Sequence, residues 1–209
     1  SEVFDNFPDA QILIIENKGR DIAPFIEIYR SIKDLNYTFI LKLHSKKSIH
    51  REDGDAWRND ILSKLIGSKG AVKTIKNFLI EKPSVGIIGP KKHVLDHRVY
   101  WGFNKETTLK LATAVGILCD DDPEFNFIAG SMFWAKPDAL RLLDLLPVNT
   151  IDFEPEPTPP DGALAHGVER FVGLAVKESG YSIMEIDEFG VISKPDSGNL
   201  YPFAQPYPQ

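Results

Sequence analysis

Two short segments carry charge of a kind that handles phosphate. Asn17-Lys18-Gly19-Arg20-Asp21 and Lys42-Leu43-His44-Ser45-Lys46-Lys47-Ser48 each follow an apolar run with strand character, Ile12-Leu13-Ile14-Ile15 and Thr38-Phe39-Ile40-Leu41. Between them Phe25, Ile28, Tyr29 and Ile32 fall at i, i+3, i+4 and i+7, which predicts an amphipathic helix. The pattern is strand–helix–strand with charge at the carboxyl end of both strands, the edge where open α/β sheets bind ligands. Cations there predict an anionic ligand, with Asn17, Gly19, Arg20, Asp21, His44, Lys46 and Lys47 as its contacts. Plainer readings stand beside this one. Gly19 also suits a tight turn and Asp21 a helix cap, while Lys46 and Lys47 suit a solvated basic turn. Arg58, after Trp57, either clamps a phosphate bidentately or pairs with Asp53 or Asp55.

The elements that must position these groups follow from periodicity. Helices are expected over 57–66, 71–79, 107–115, 137–143 and 162–177, with strands at 85–90, 126–134 and 181–186. Thr107 is the expected cap of its helix, and 91–104 reads as an irregular loop. Residues 152–160 hold four prolines and three carboxylates, an extended and mobile loop able to close over a ligand. Alternating strands and helices give one α/β domain over 1–192, with a Pro- and aromatic-rich tail, 193–209, on the surface or disordered.

Bulk composition narrows the classes. The chain has 209 residues, 43% hydrophobic and 26% charged, which places it among globular proteins. A net charge of −6 argues against non-specific nucleic-acid binding. The single cysteine, Cys119, excludes an internal disulfide framework and a cysteine metal site, and fits a reducing, cytoplasmic setting. No apolar run approaches the ~20 residues of a membrane span. The start at Ser1-Glu2, almost directly on a strand, leads us to expect a piece of a longer protein.

Five stretches, in order, resemble the rhamnan synthesis F family of bacterial cell-surface polysaccharide enzymes. They are 16–25, 41–48, Trp57-Arg58, Ala129-Gly130-Ser131-Met132-Phe133-Trp134, and Asp161-Gly162-Ala163-Leu164-Ala165-His166-Gly167-Val168-Glu169-Arg170. The resemblance implies a glycosyltransferase that uses nucleotide-activated sugars, with dTDP-rhamnose as the favoured donor. It also implies a lipid-linked or polysaccharide acceptor, and peripheral association with the inner membrane face through other domains. The layout looks like a GT-A (Rossmann-like) mixed sheet flanked by helices, lacking its first strand–helix unit. Where such enzymes carry an Asp-x-Asp metal pair, this chain has His44-Ser45-Lys46-Lys47. Fixed cations can stabilise a diphosphate leaving group in place of a divalent ion, so no metal cofactor is expected and transfer would be inverting. Mg or Mn held by Asp120 to Asp122 is the metal-dependent alternative.

The resemblance also places Asp161 as the base that deprotonates the acceptor hydroxyl, against a plain N-cap role. Glu154 and Glu156 are its rivals on the preceding loop. Glu169 is a second base candidate, with a salt bridge to Arg170 as its plainer reading. Gly130, Ser131, Trp134 and His166 are the expected sugar or acceptor contacts, against a glycine bulge, a core tryptophan and a solvent face. A different class remains open: a non-catalytic glycan- or nucleotide-sugar-binding module of a larger polysaccharide-synthesis protein.

Overall fold

A computed structural model of the chain describes residues 5–45, 53–118, 120, 122–196 and 200–203. The first helix, α1 (Ile22–Ile32), buries Ile22, Ala23, Phe25, Ile26 and Tyr29; of the expected stripe Phe25 and Tyr29 are buried, whereas Ile32 is partly buried and Ile28 is 41% exposed. It leads to β1 (Ile40–Lys42), then α2 (Gly54–Ile66) and α3 (Lys69–Glu81), whose cap is Ser68 accepting from the Ala71 amide at 3.0 Å. The chain continues through β2 (Val85–Pro90), β3 (Val94–Asp96), α4 (Lys105–Ala114), β4 (Asn126–Ile128) and β5 (Phe133–Ala135). Two 3₁₀ segments, Pro137–Leu143 and Thr150–Asp152, precede α5 (Leu164–Glu178), β6 (Ser182–Ile186) and β7 (Ile192–Ser193).

The main sheet is mixed, in the order β1-β5-β2-β6-β7. Both β1 and β2 run antiparallel to β5, and β6 runs parallel to β2. The carboxyl ends of β1, β2 and β6 therefore share one edge. Alternation on β5 sorts the two faces: Phe133 joins the core under α1 and α5, while Trp134 joins Trp57, Ile61, Leu65, Ile75 and Leu79 of α2 and α3. A two-stranded sheet, β3-β4, packs beside α5.

Several sequence expectations change. Residues 12–15 form no strand, and Ile12, Leu13 and Ile14 are 56%, 52% and 91% exposed. Among the described residues β1 pairs only with β5, so nothing there supplies the ladder partner that strand needs. The loop 91–104 contains β3, and Asn104 rather than Thr107 precedes α4. The expected strand 126–134 is two strands in two sheets, broken where Gly130 (φ +82°) and Ser131 (φ +53°) turn the chain left-handed. Residues 137–143 are 3₁₀ rather than α.

Helix α5 has no solvent face at its glycines. Gly173 lies against the β4 backbone, where a Cβ would come within 2.1 Å of the Asn126 carbonyl oxygen. The 152–160 loop is docked: Phe153 is buried, Lys18 bridges to Pro155, and Glu154 accepts from the Leu164 amide at 3.0 Å. Of the tail, Tyr201 and Phe203 pack against core residues.

Candidate functional site

The turn before α1 and the end of β1 meet at the carboxyl edge of the sheet. Asp21 makes no capping bond to α1; its Oδ2 instead accepts from Lys42 Nζ at 2.5 Å. Lys42 continues the inward alternation of Ile40, is 5% exposed, and also donates to the Ser131 carbonyl at 2.7 Å. Its ammonium lies 5.2 Å from the Phe25 ring centroid, a cation–π contact in a dry setting. Burial pushes the Lys42 pKa down, and the charges of Asp21 and Glu169 oppose that.

Two residues further, the His44 Nε2–H donates to the Gly130 carbonyl at 2.7 Å and stands 3.7 Å from Asp21 Oδ2. From α5, Glu169 Oε1 accepts the Gly130 amide at 2.9 Å, with Arg170 Nη1 3.6 Å from Oε2. Three ionisable side chains thus grip one two-residue turn: Lys42 at the Ser131 carbonyl, His44 at the Gly130 carbonyl, Glu169 at the Gly130 amide. Trp57 of α2 roofs the turn, since a Cβ on Gly130 would meet its ring at 2.4 Å. A side chain at 130 would have to displace the indole, and φ of +82° already disfavours one.

The structure therefore brings together Asp21, His44, Gly130, Ser131 and Glu169, which lie up to 148 positions apart in sequence (169 − 21). Gly19 sits beneath Phe153, and Asn17 is exposed beside the same turn. Arg20 faces the proline-rich loop, donating to Thr158 Oγ1 at 2.8 Å and the Pro159 carbonyl at 2.9 Å. Arg58 pairs on the surface with Asp55 at 3.2 Å. Trp134 donates from its indole to the Leu65 carbonyl inside the α2 layer. His166 Nδ1 accepts the Ala163 amide at 3.2 Å, at the start of its own helix.

Asp161 accepts from Asn104 Nδ2 at 2.6 Å and the Phe103 amide at 3.0 Å, tying α5 to the turn before α4. Asp122 accepts from the Trp101 indole at 3.2 Å. Lys46, Lys47, Cys119 and Asp121 lie outside the described residues. Among the described residues no three His, Cys, Asp or Glu side chains converge as a metal cage, and no helix is long and apolar enough to cross a membrane.

Sequence reasoning missed a second constellation beside Trp57. His93, fully buried just past the carboxyl end of β2, has Nε2 2.9 Å from Asp60 Oδ2 and Nδ1 3.4 Å from the Tyr201 hydroxyl. Lys64 Nζ also donates to Asp60 Oδ2, at 2.6 Å, and the Trp57 indole donates to the Tyr201 oxygen at 2.9 Å. The Trp57 ring centroid lies 6.3 Å from the rings of both His44 and His93, so one indole joins the two groups. The signal was available: His93 follows a strand end as His44 does. No local pattern, however, pairs it with Asp60 or Tyr201.

Three aspartates are held below their usual pKa. Arg98 does this for Asp96; at Asp60 and Asp161 burial pushes upward, but bonds from His93 and Lys64, and from Asn104 and Phe103, outweigh it. With folded values below the unfolded ~3.9, the unfolded chain binds more protons as acid is added. Their stabilisation is complete above that value and lost as pH falls through the folded values. These aspartates add no pH dependence between pH 7 and 5, where the lowered pKa of buried His93 already makes the urea midpoint fall with acid; below about pH 4 they should steepen that drop. A midpoint unchanged down to pH 3 would contradict these assignments.

The chain is 39% identical over 201 residues to the uncharacterised protein WxcX of Xanthomonas campestris strain B100, and equally so to WxcX of a second strain of that species. Each match covers 95% of this chain and 28% of the relative, so the chain spans little more than a quarter of the length of these proteins. No solved structure matches it. The model of the family described as rhamnan synthesis protein F matches residues 2–181, which include the Asp21–Lys42–His44–Gly130–Glu169 cluster; the chain belongs to that family.

Proposed function

We propose that this domain serves rhamnan or related polysaccharide synthesis as a glycosyltransferase, moving rhamnose or a similar sugar from a nucleotide-sugar donor to a growing glycan. The observation that carries the reading is the convergence of Asp21, His44, Gly130 and Glu169 at the carboxyl edge of the sheet. That is where α/β sheets hold their ligands. The mixed sheet flanked by helices is compatible with a GT-A-like arrangement. In this reading His44, with Lys46 and Lys47 beyond it, faces the donor diphosphate and offsets the charge of the departing group without a metal. Inverting transfer, dTDP-rhamnose as donor, a lipid-linked acceptor and work at the inner membrane face belong to the same proposal.

A second reading has its own support. Arg20, Lys42 and Arg58 each already engage a protein oxygen, and this leaves less positive charge for a diphosphate. A module that binds glycan or nucleotide sugar without turnover would tolerate that. Thermal melting with a panel of nucleotide diphosphates and nucleotide sugars, with and without Mg²⁺ or Mn²⁺, tests the proposal. A donor at about 100 times its dissociation constant adds about 2.7 kcal/mol, a shift of several degrees. The expected result is metal-independent stabilisation by dTDP-rhamnose that His44→Ala removes. Absence of any nucleotide effect would overturn the transferase reading.

A further inference from the structure

Glycosyl transfer needs a group that takes the proton of the acceptor hydroxyl, and the carboxylates nearest the site are engaged elsewhere. Asp21 holds Lys42, Glu169 holds the Gly130 amide beside Arg170, and Asp161 holds the turn at Phe103 and Asn104. His93 is placed differently. Asp60 is an acceptor, so the 2.9 Å contact puts the proton of the neutral ring on Nε2 and leaves a lone pair on Nδ1. The indole of Trp57 only donates, so the Tyr201 oxygen accepts from it, and the Tyr201 O–H, 3.4 Å from Nδ1, is within reach to donate to that lone pair. Every hydrogen bond in the chain Trp57–Tyr201–His93–Asp60 then runs in one direction. A hydroxyl on the lone pair of an imidazole, with a carboxylate behind the ring, is the geometry of base activation.

We infer that His93, oriented by Asp60, is the base of the transfer reaction, and that the Tyr201 phenol occupies the place of the acceptor hydroxyl. The inference rests on the transferase reading. In the step, the acceptor O–H proton passes to His93 Nδ1 as the oxygen bonds to the anomeric carbon. The bond from that carbon to the diphosphate breaks, and the diphosphate departs with the electron pair. The imidazolium so formed is held by Asp60, which Lys64 steadies from its other side. Burial pushes the His93 pKa down, against the pull of Asp60, so the ring is neutral and able to accept a proton near pH 7.

The cover over His93 is separable from the fold beneath it. Tyr201 and Phe203 bring rings to 5.5 and 5.4 Å from the imidazole, and the Tyr201 amide donates to the Tyr100 hydroxyl at 2.7 Å. With those two side chains displaced, Trp57, whose ring centroid lies 6.3 Å from the imidazole, would offer an aromatic surface to a sugar ring beside it. The acceptor this geometry fits is a pyranoside with one hydroxyl directed at Nδ1.

The test uses the whole chain with dTDP-rhamnose and methyl rhamnoside, following release of nucleotide diphosphate. The double substitution Tyr201→Ala/Phe203→Ala should raise release, and His93→Gln in either background should lower it by about 10²–10⁴-fold. Asp60→Asn, which preserves volume, should lower it in the same direction and guards against a folding artefact at position 93. A second readout needs no turnover: diethyl pyrocarbonate should modify His93 faster once Tyr201 and Phe203 are removed. Release by the parent that survives His93→Gln undiminished would overturn the inference and leave the transferase reading standing. No release by any variant would overturn both.

Discussion

Replacing Lys42 with methionine should cost about 3–5 kcal/mol of folding stability, the penalty for breaking a buried ion pair from one side. The change leaves Asp21 with its carboxylate 18% exposed and the Ser131 carbonyl without its ammonium donor. The 3.7 Å contact with His44 compensates Asp21 only when that ring is protonated. Methionine fills most of the lysine volume, so the loss reports charge rather than a cavity. The double variant Lys42→Met/Asp21→Asn removes both charges and should recover a large part of the loss, since neutral replacements of buried pairs are often tolerated. Urea unfolding of the two single variants and the double variant measures this as a coupling energy. A single-variant cost under about 1 kcal/mol would mean that the pair is solvated and does not hold the Gly130–Ser131 turn.

The second large effect is expected at Gly173, where two rules give opposite signs. In mid-helix, alanine is favoured over glycine by about 1 kcal/mol. Here the added Cβ would stand 2.1 Å from the Asn126 carbonyl oxygen and 3.0 Å from the Phe127 Cα, and these are backbone atoms of β4 that cannot rotate away. Helix and strand must part, at a typical overpacking cost of 1–3 kcal/mol, and we expect a net loss near the upper end, about 2–3 kcal/mol. Because β4 runs into the Gly130 turn, the same variant should weaken any donor-induced thermal shift. A melting temperature at or above the parent's would show that the close approach relaxes easily.

Much of the local structure was legible from spacing. The helix α1 was legible, although its buried face takes Phe25 and Tyr29 from the expected stripe and leaves Ile28 exposed, and the run Val85 to Pro90 is a strand buried along its whole length. The rule that charge at a strand's carboxyl end marks a site led to His44, and the strand–helix turn led to Asp21. Gly130 and Glu169 were singled out through the resemblance of their stretches. Periodicity failed where one apolar run had to serve two elements. Residues 126–134 read as continuous, yet the left-handed pair Gly130–Ser131 divides them between sheets. At 12–15 β-branched, apolar composition predicted a strand, but composition supplies no ladder partner.

By itself the sequence determined the α/β class, most of the helices, the family and most of the edge at which the charged groups gather. Each of these depends on residues within a few positions of one another, or on motif order along the chain. Only the tertiary structure decided how the charges are spent. Lys42 closes on Asp21 across 21 positions, His93 meets Asp60 across 33, and Tyr201 reaches Trp57 across 144. Burial alternation says that Lys42 faces inward, not which carboxylate meets it there. That choice is made when α1, α2, α5 and the tail pack on the two faces of the sheet, because an ion pair or a proton path exists only where packing brings donor and acceptor within about 3 Å.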